Sequence, residues 1–290
     1  MPSVRIVGPG RAGSSLAGAL ATVGWRVAPP VRRDGDHAGA ARDVDVCVVS
    51  VPDGAIAGVA AAIEPVPATL VVHLSGSQPA AVLASHPRRA ALHPLASLPD
   101  PRRGCDVLLG GVWWAVDGDA GAALVVDALG GRVLPVPPGA RTAYHAAACI
   151  AANHLVALLA QVERVAADAG LPREPFYDLA AGAFANARAV GASAALTGPA
   201  ARGDALTLAG HLGALDPAEH ELYRALAAAA AALAGQPGLF GLPGLAEGPD
   251  GPDGPGLAVP DLPGLAGEAA LAPNRYRIGA NESGEELACR

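Results

Sequence analysis

Six residues near the start restrict this chain more than any other feature. Gly8-Pro9-Gly10-Arg11-Ala12-Gly13 follows the apolar run 4–7 directly and opens a segment of helical pattern that continues to about residue 23. A G-x-G-x-x-G spacing is weak by itself. Placed between a strand and a helix, it is the turn that binds a dinucleotide. Gly8 would allow the tight turn, Gly10 the approach of a pyrophosphate to the backbone, and Gly13 the close packing of helix on strand. The backbone amides of Arg11, Ala12 and Gly13 would then face the phosphates at the positive end of the helix dipole. The bland alternative is a glycine-rich turn that holds nothing.

The pattern after that turn extends the same architecture. Residues 25–28 read as a second strand, ended by Pro29 and Pro30, and 44–51 as a β-branched strand buried on both faces. Residues 56–63 form a helical crossover and 70–74 a fourth strand; shorter strands are expected at 90–92, 112–116 and 132–136, with a helix near 120–129. Alternating strands and helices predict a doubly wound, mostly parallel α/β sheet of Rossmann type over residues 1–138. After Pro137-Pro138-Gly139 the character changes. A long helix is predicted from Thr142, as N-cap, to about residue 169, with Gly170 as C-cap; further helices are expected at 174–190, 205–215 and 217–233. Residues 139–235 therefore read as an all-helical domain for substrate and dimerisation. Residues 236–290 are rich in Gly and Pro and read as a disordered tail.

Charge and composition remove several classes of function. The formal net charge of −7 argues against a general nucleic-acid binder. All 20 basic residues are Arg, so no step can use a lysine as base or Schiff-base amine. Cys47, Cys105, Cys149 and Cys289 lie far apart and suggest neither a zinc site nor a disulfide framework. No signal peptide is evident and no apolar run reaches the ~18 residues of a membrane span, so a cytoplasmic protein without a membrane partner is expected.

The nucleotide is read just past the second strand. Arg32 and Arg33 stand where an NAD site places an acidic residue, and a guanidinium there suits the 2′-phosphate of NADP. Ser50, Val51 and Pro52 end the third strand and are expected to line the cofactor cleft with backbone; Asp53 is read as a cap for the next helix.

Two strand ends supply candidate chemistry. His93 is the expected acid/base, because an imidazole titrates near neutrality; Ser75 could hydrogen-bond the same substrate group. His93 could equally be a histidine that only caps its strand end. On the long helix, His145 and Asn153 differ by about 80° and share a broad face, whereas His154 lies about 180° from His145. Asn153, in an otherwise apolar run, needs a partner if buried. In the polar turn 196–204, Arg202 could clamp a substrate carboxylate or pair with Asp204.

With these residues in place, the chain resembles the bacterial family of Rossmann-like proteins that carry a DUF2520 domain. The resemblance rests on the turn at 8–13, SVPD at 50–53, HLSGS at 73–77, LHPL at 92–95, YHAAACIAANHL at 144–155 and LTGPAARGD at 196–204. It implies an NADP-dependent oxidoreductase. A wider resemblance links the chain to prephenate dehydrogenases and to ketopantoate, pyrroline-carboxylate and hydroxyacid reductases, whose helical domain often dimerises. Ser75, His93, His145 and His154 look like matches to positions in the prephenate enzymes, with Asn153 replacing a Ser and Ala146 an Asp. Those departures put prephenate itself in doubt, and the missing lysine removes the hydroxyacid mechanism.

These readings converge on an NADP(H)-dependent enzyme acting on a small carbonyl, imine or hydroxy acid. His93, Ser75, Asn153 and His145 are its catalytic candidates, His154 and Arg202 bind substrate, no metal takes part, and a homodimer forms through the helical domain. The alternative is a non-catalytic NADP(H) sensor; a third reading keeps the fold with a deazaflavin.

Overall fold

The computed structural model describes residues 1–241 and Leu245. Most of the expected tail, Cys289 included, lies outside the described residues. Two compact units divide between Leu155 and Val156, and each is considered by itself.

The first unit is built on a seven-stranded sheet, with β1 Ser3–Val7, β2 Arg26–Val27, β3 Val46–Val49, β4 Leu70–His73, β5 Arg89–Pro94, β6 Trp113–Gly118 and β7 Arg132–Leu134. The strand order is β2-β1-β3-β4-β5-β6-β7. All neighbours pair in parallel except β5 and β6, which run antiparallel with Leu92 opposite Val116. Every residue of β3 and β4 is buried, as β-branched strands covered on both faces must be. Successive side chains alternate between two cores. Val46, Val48, Leu70 and Val72 join Leu16 and Leu20 of α1 (Arg11–Thr22) on one face; Cys47, Val49 and Val71 join Ile56 and Ile63, from and just beyond α2 (Ile56–Ala62), on the other.

Helix α3 (Pro101–Leu109) was not anticipated, although its start is written in the sequence. Asp100 accepts from the Arg103 amide and Pro101 fills the first turn, the usual signature of a helix start. It lies tightly on α1: a Cβ at Gly104 would fall 2.0 Å from Ser15 Oγ. Helix α4 (Ala123–Ala128) precedes β7. Helix α5 (Arg141–Cys149) begins one residue before the expected cap: Ala140, not Thr142, is the N-cap, and no side chain bonds there. A π-helical segment, Ile150–His154, then runs into α6 (Leu155–Asp168).

From Arg141 to Asp168 the chain is thus one helix of 28 residues. It is long and apolar enough by length and composition to cross a membrane, with few residues buried. This corrects the expectation that no apolar stretch reaches that length. That expectation required an unbroken apolar run, whereas alanines keep the mean hydropathy high around His145, Asn153 and His154.

The second unit is helical throughout its described residues. Gly170, at φ +70°, ends α6, with the Leu171 amide closing back on Ala166 O, a left-handed cap. There follow α7 (Glu174–Val190), α8 (Ala192–Ala195), α9 (Pro199–Arg202), α10 (Ala205–Ala214) and α11 (His220–Leu233). The expected polar turn at 196–204 is partly wound into α9, because Pro199 suits a first helical turn. Leu208, Leu212 and Ala231 form a small core, and Arg164 clamps Glu219 through Nε at 2.5 Å and Nη2 at 3.0 Å.

Candidate active site

The sheet order reverses between β1 and β3, and in open α/β sheets a crevice opens at the carboxyl ends of such strands. The three glycines of the turn sit there in three different environments. Gly8 has φ +83°, and a Cβ on it would lie 2.6 Å from Ser50 O. A Cβ on Gly13 would lie 2.8 Å from Ile6 Cγ2 and 3.0 Å from Gly8 O. At Gly10 a Cβ would meet nothing within 4 Å. Gly8 and Gly13 are therefore demanded by the fold, whereas Gly10 faces open space. Gly10 is also the N-cap of α1, where no side chain satisfies the first-turn amides and no acidic residue opposes an anion. Free N–H groups beside an open glycine fit a diphosphate.

Ser50 continues the same edge. Its amide donates to Val7 O at 2.8 Å, and its carbonyl and Cβ are the atoms that crowd Gly8 and Gly13. Val31 bridges to Val7, and its carbonyl accepts from the Gly8 amide at 2.9 Å. Arg32 and Arg33 follow immediately, both exposed. Asp53 does not cap a helix. Its carboxylate accepts from Ser77 Oγ at 2.6 Å. Burial pushes its pKa upward, but hydrogen bonds from Ser77 and Ser75, with His145 and His73 nearby, hold it below the ordinary range.

The loop after β4 carries Ser75, Gly76 and Ser77. The buried His73 accepts from the Ser75 amide at Nδ1 (3.2 Å) and lies 3.1 Å from Pro79 O through Nε2. Ser75 Oγ accepts from the amides of Ser77 and Gln78 at 3.2 and 3.1 Å. This hydroxyl, expected to meet substrate, also shapes its own loop, because a serine two residues ahead of a free amide closes a local turn. Arg141 Nη2 donates to Ser75 O at 2.9 Å and ties α5 to the same loop.

His93, near the end of β5, stands at the centre of a cluster. Its Nδ1 lies 2.6 Å from Tyr144 Oη. Its ring meets those of Tyr144 and His145 edge-on, with centroids 5.7 and 5.8 Å apart. Gly76 lies against both imidazoles: a Cβ there would fall 2.4 Å from His145 Cδ2 and 3.0 Å from His93 Nε2. No described residue hydrogen-bonds Nε2. Burial first, then His145 and Arg141, push the His93 pKa down to about 4, against the opposing charge of Asp53. The expectation of an imidazole titrating near neutrality is thereby corrected: His93 is neutral at pH 7.

The structure brings His93, Ser75 and His145 together, while Asn153 and His154, in the same unit, lie apart from them. Asn153 and His154 are exposed, and Asn153 lies nine residues beyond Tyr144, about 13 Å along a helix axis. The expected shared face leaves the separation along the axis untouched: eight residues set Asn153 about 12 Å beyond His145. Arg202 is exposed in the second unit, and Asp204 pairs not with it but with Thr207, accepting from its amide at 3.1 Å and its hydroxyl at 2.7 Å. Tyr144, Arg141 and Gly76 are the members that sequence reading missed. The one available signal was the tandem Tyr144-His145 in the first turns of a helix.

A Rossmann-type sheet with an open glycine turn and a histidine cluster along one carboxyl edge defines the class of this protein. Residues 114–230 match the model of a domain of unknown function, DUF2520, in agreement with the motifs at 144–155 and 196–204. No curated protein matches the chain in sequence. Among solved structures, the chain is similar to a candidate NADP oxidoreductase of Bacteroides fragilis at 20% identity and a TM-score of 0.67, covering 80% of this chain and 98% of that one. A Thermotoga maritima protein is 22% identical with a TM-score of 0.58, and a Plasmodium falciparum pyrroline carboxylate reductase with NADP bound is 14% identical with a TM-score of 0.54; each covers 80% of this chain and 98% of its own. At such identities the likeness establishes the fold.

Proposed function

We propose that this protein is an NADP(H)-dependent oxidoreductase acting on a small carbonyl, imine or hydroxy acid. The observation that carries the reading is the open glycine, Gly10, set over unsatisfied helix amides on the same sheet edge as His93. The amides of Arg11, Ala12 and Gly13 would hold the diphosphate, the backbone of Ser50, Val51 and Pro52 would line the cleft, and Arg32 and Arg33 would take the 2′-phosphate. A bound nicotinamide supplies hydride chemistry. His93 orients the reacting oxygen, Ser75 and Gly76 hold the loop against it, and Arg141 keeps that loop on α5.

The helical residues 139–235 would form the substrate and dimerisation domain. The apolar, little-buried helix Arg141–Asp168 supports a second copy of this chain as the partner, with Ile150, Leu155 and Val156 among its exposed residues. Asn153 remains a catalytic candidate, and His154 and Arg202 substrate-binding candidates, in that assembly.

Titration with NADPH and with NADH, followed by nucleotide fluorescence, tests the reading. NADPH should bind in the micromolar range, and Arg32→Ala or Arg33→Ala should weaken NADPH about tenfold while leaving NADH unchanged, about 1.4 kcal/mol of charge-assisted bonding. Failure of both nucleotides to bind at millimolar concentration would overturn it.

A further inference from the structure

The bond between His93 and Tyr144 decides which nitrogen of the imidazole carries the proton. The two candidates are Nδ1, 2.6 Å from Tyr144 Oη, and Nε2, which no described residue bonds. A phenol is a stronger acid than a neutral imidazole N–H, and an imidazole nitrogen is a stronger base than a phenol oxygen. The short contact is therefore better made as O–H···N than as N–H···O. The two rings stand edge to face, at 86° to each other.

We infer that Tyr144 is a positioning residue: its hydroxyl donates to Nδ1 of His93 and holds that imidazole as the Nε2–H tautomer, a neutral donor for a carbonyl oxygen of the substrate. The inference rests on the oxidoreductase reading and narrows its substrate class. An N–H donor needs an acceptor atom, which a ketone or aldehyde oxygen offers and an iminium cation does not. The surroundings agree. Arg141 and His145 face His93 from α5, His73 from β4 and Asp53 from the loop after β3; burial first, then the electrostatics of His145, Arg141 and His73, disfavour an imidazolium, with Asp53 alone opposing.

Long-range proton–nitrogen spectra of histidine-labelled full-length protein test this without any substrate. His93 is assigned by the resonances lost in His93→Gln. At pH 7 the wild type should show a protonated Nε2 and an unprotonated Nδ1. Tyr144→Phe should convert His93 to a tautomer mixture, with the protein still folded and NADPH affinity unchanged within about twofold. In NADPH consumption assays over ketones, aldehydes and cyclic iminium salts, Tyr144→Phe should lower kcat about 10- to 100-fold with KM within about threefold. A protonated Nδ1, an imidazolium at pH 7, an unaltered tautomer in Tyr144→Phe, or turnover confined to iminium salts would each overturn the inference. Because the wild-type spectrum needs no nucleotide, loss of NADPH binding would sink the cofactor reading while the tautomer result stands separately.

Discussion

The glycine turn and the His93 cluster lie on one sheet edge and are built on opposite principles. In the turn, function requires that side chains be absent. Two glycines are excluded volume for the fold, and the third leaves a gap that backbone amides can use. In the cluster, everything depends on side chains brought from four places: Asp53, the 75–77 loop, His93 and α5. The turn is six consecutive residues and tolerates no insertion. The cluster needs only that the ends of β3, β4 and β5 and the start of α5 converge. The lesson is that backbone chemistry is local in sequence, whereas side-chain chemistry is local only in space.

The comparison breaks most violently at Gly8. An alanine there would combine a left-handed backbone with a carbonyl 2.6 Å from its Cβ, each costing about 1–3 kcal/mol. Gly8→Ala should lower the calorimetric midpoint by several degrees and abolish NADPH binding together. Next in size is Gly76→Ala, whose Cβ would enter His145 and crowd His93. The loop must shift, and turnover should fall about 100-fold while NADPH affinity, measured by titration, stays as in the wild type. Equal loss of both would show that the two regions are not separable.

A smaller and sharper effect is expected at Gly10. Its φ of −76° and its empty surroundings accept alanine without strain. Gly10→Ala should leave the thermal midpoint unchanged and weaken NADPH about tenfold, roughly 1.4 kcal/mol. A midpoint that falls with the affinity would refute the assignment of Gly10 to the ligand and not to the fold.

A further effect is expected in acid. His93 is held down to about 4 by burial, against 6.5 when unconstrained, and burial lowers His73 and His86 as well. Between those values the unfolded chain binds protons that the folded chain does not. Stability therefore rises with pH through that window and is lost as pH falls from about 6.5 toward 4. Urea denaturation from pH 7 to 4 should show this slope, reduced by up to one proton in His93→Gln; an equal slope in the variant would place His93 in water.

Much of the sheet was readable because its rules are periodic. The runs at 44–51 and 70–74 could be nothing but strands buried on both faces, and the glycine spacing placed the first helix. What escaped was set by neighbours distant in the chain. Ser75 looked free for substrate until the turn after β4 claimed its hydroxyl. Asn153 seemed to share a face with His145, yet the rise of the helix carries it about 12 Å along the axis to an exposed position. Tyr144 had no visible task until β5 brought His93 to it.

By itself the sequence determined the architecture of the first unit and the place where a diphosphate would rest, because strand periodicity and glycine geometry act over a few residues. Only the tertiary structure decided which polar side chains share the site and in which protonation state. Burial, neighbouring polar groups and the partner at Nδ1 all come from other segments, Tyr144 standing 51 residues away from His93, and no pattern along the chain records such convergence.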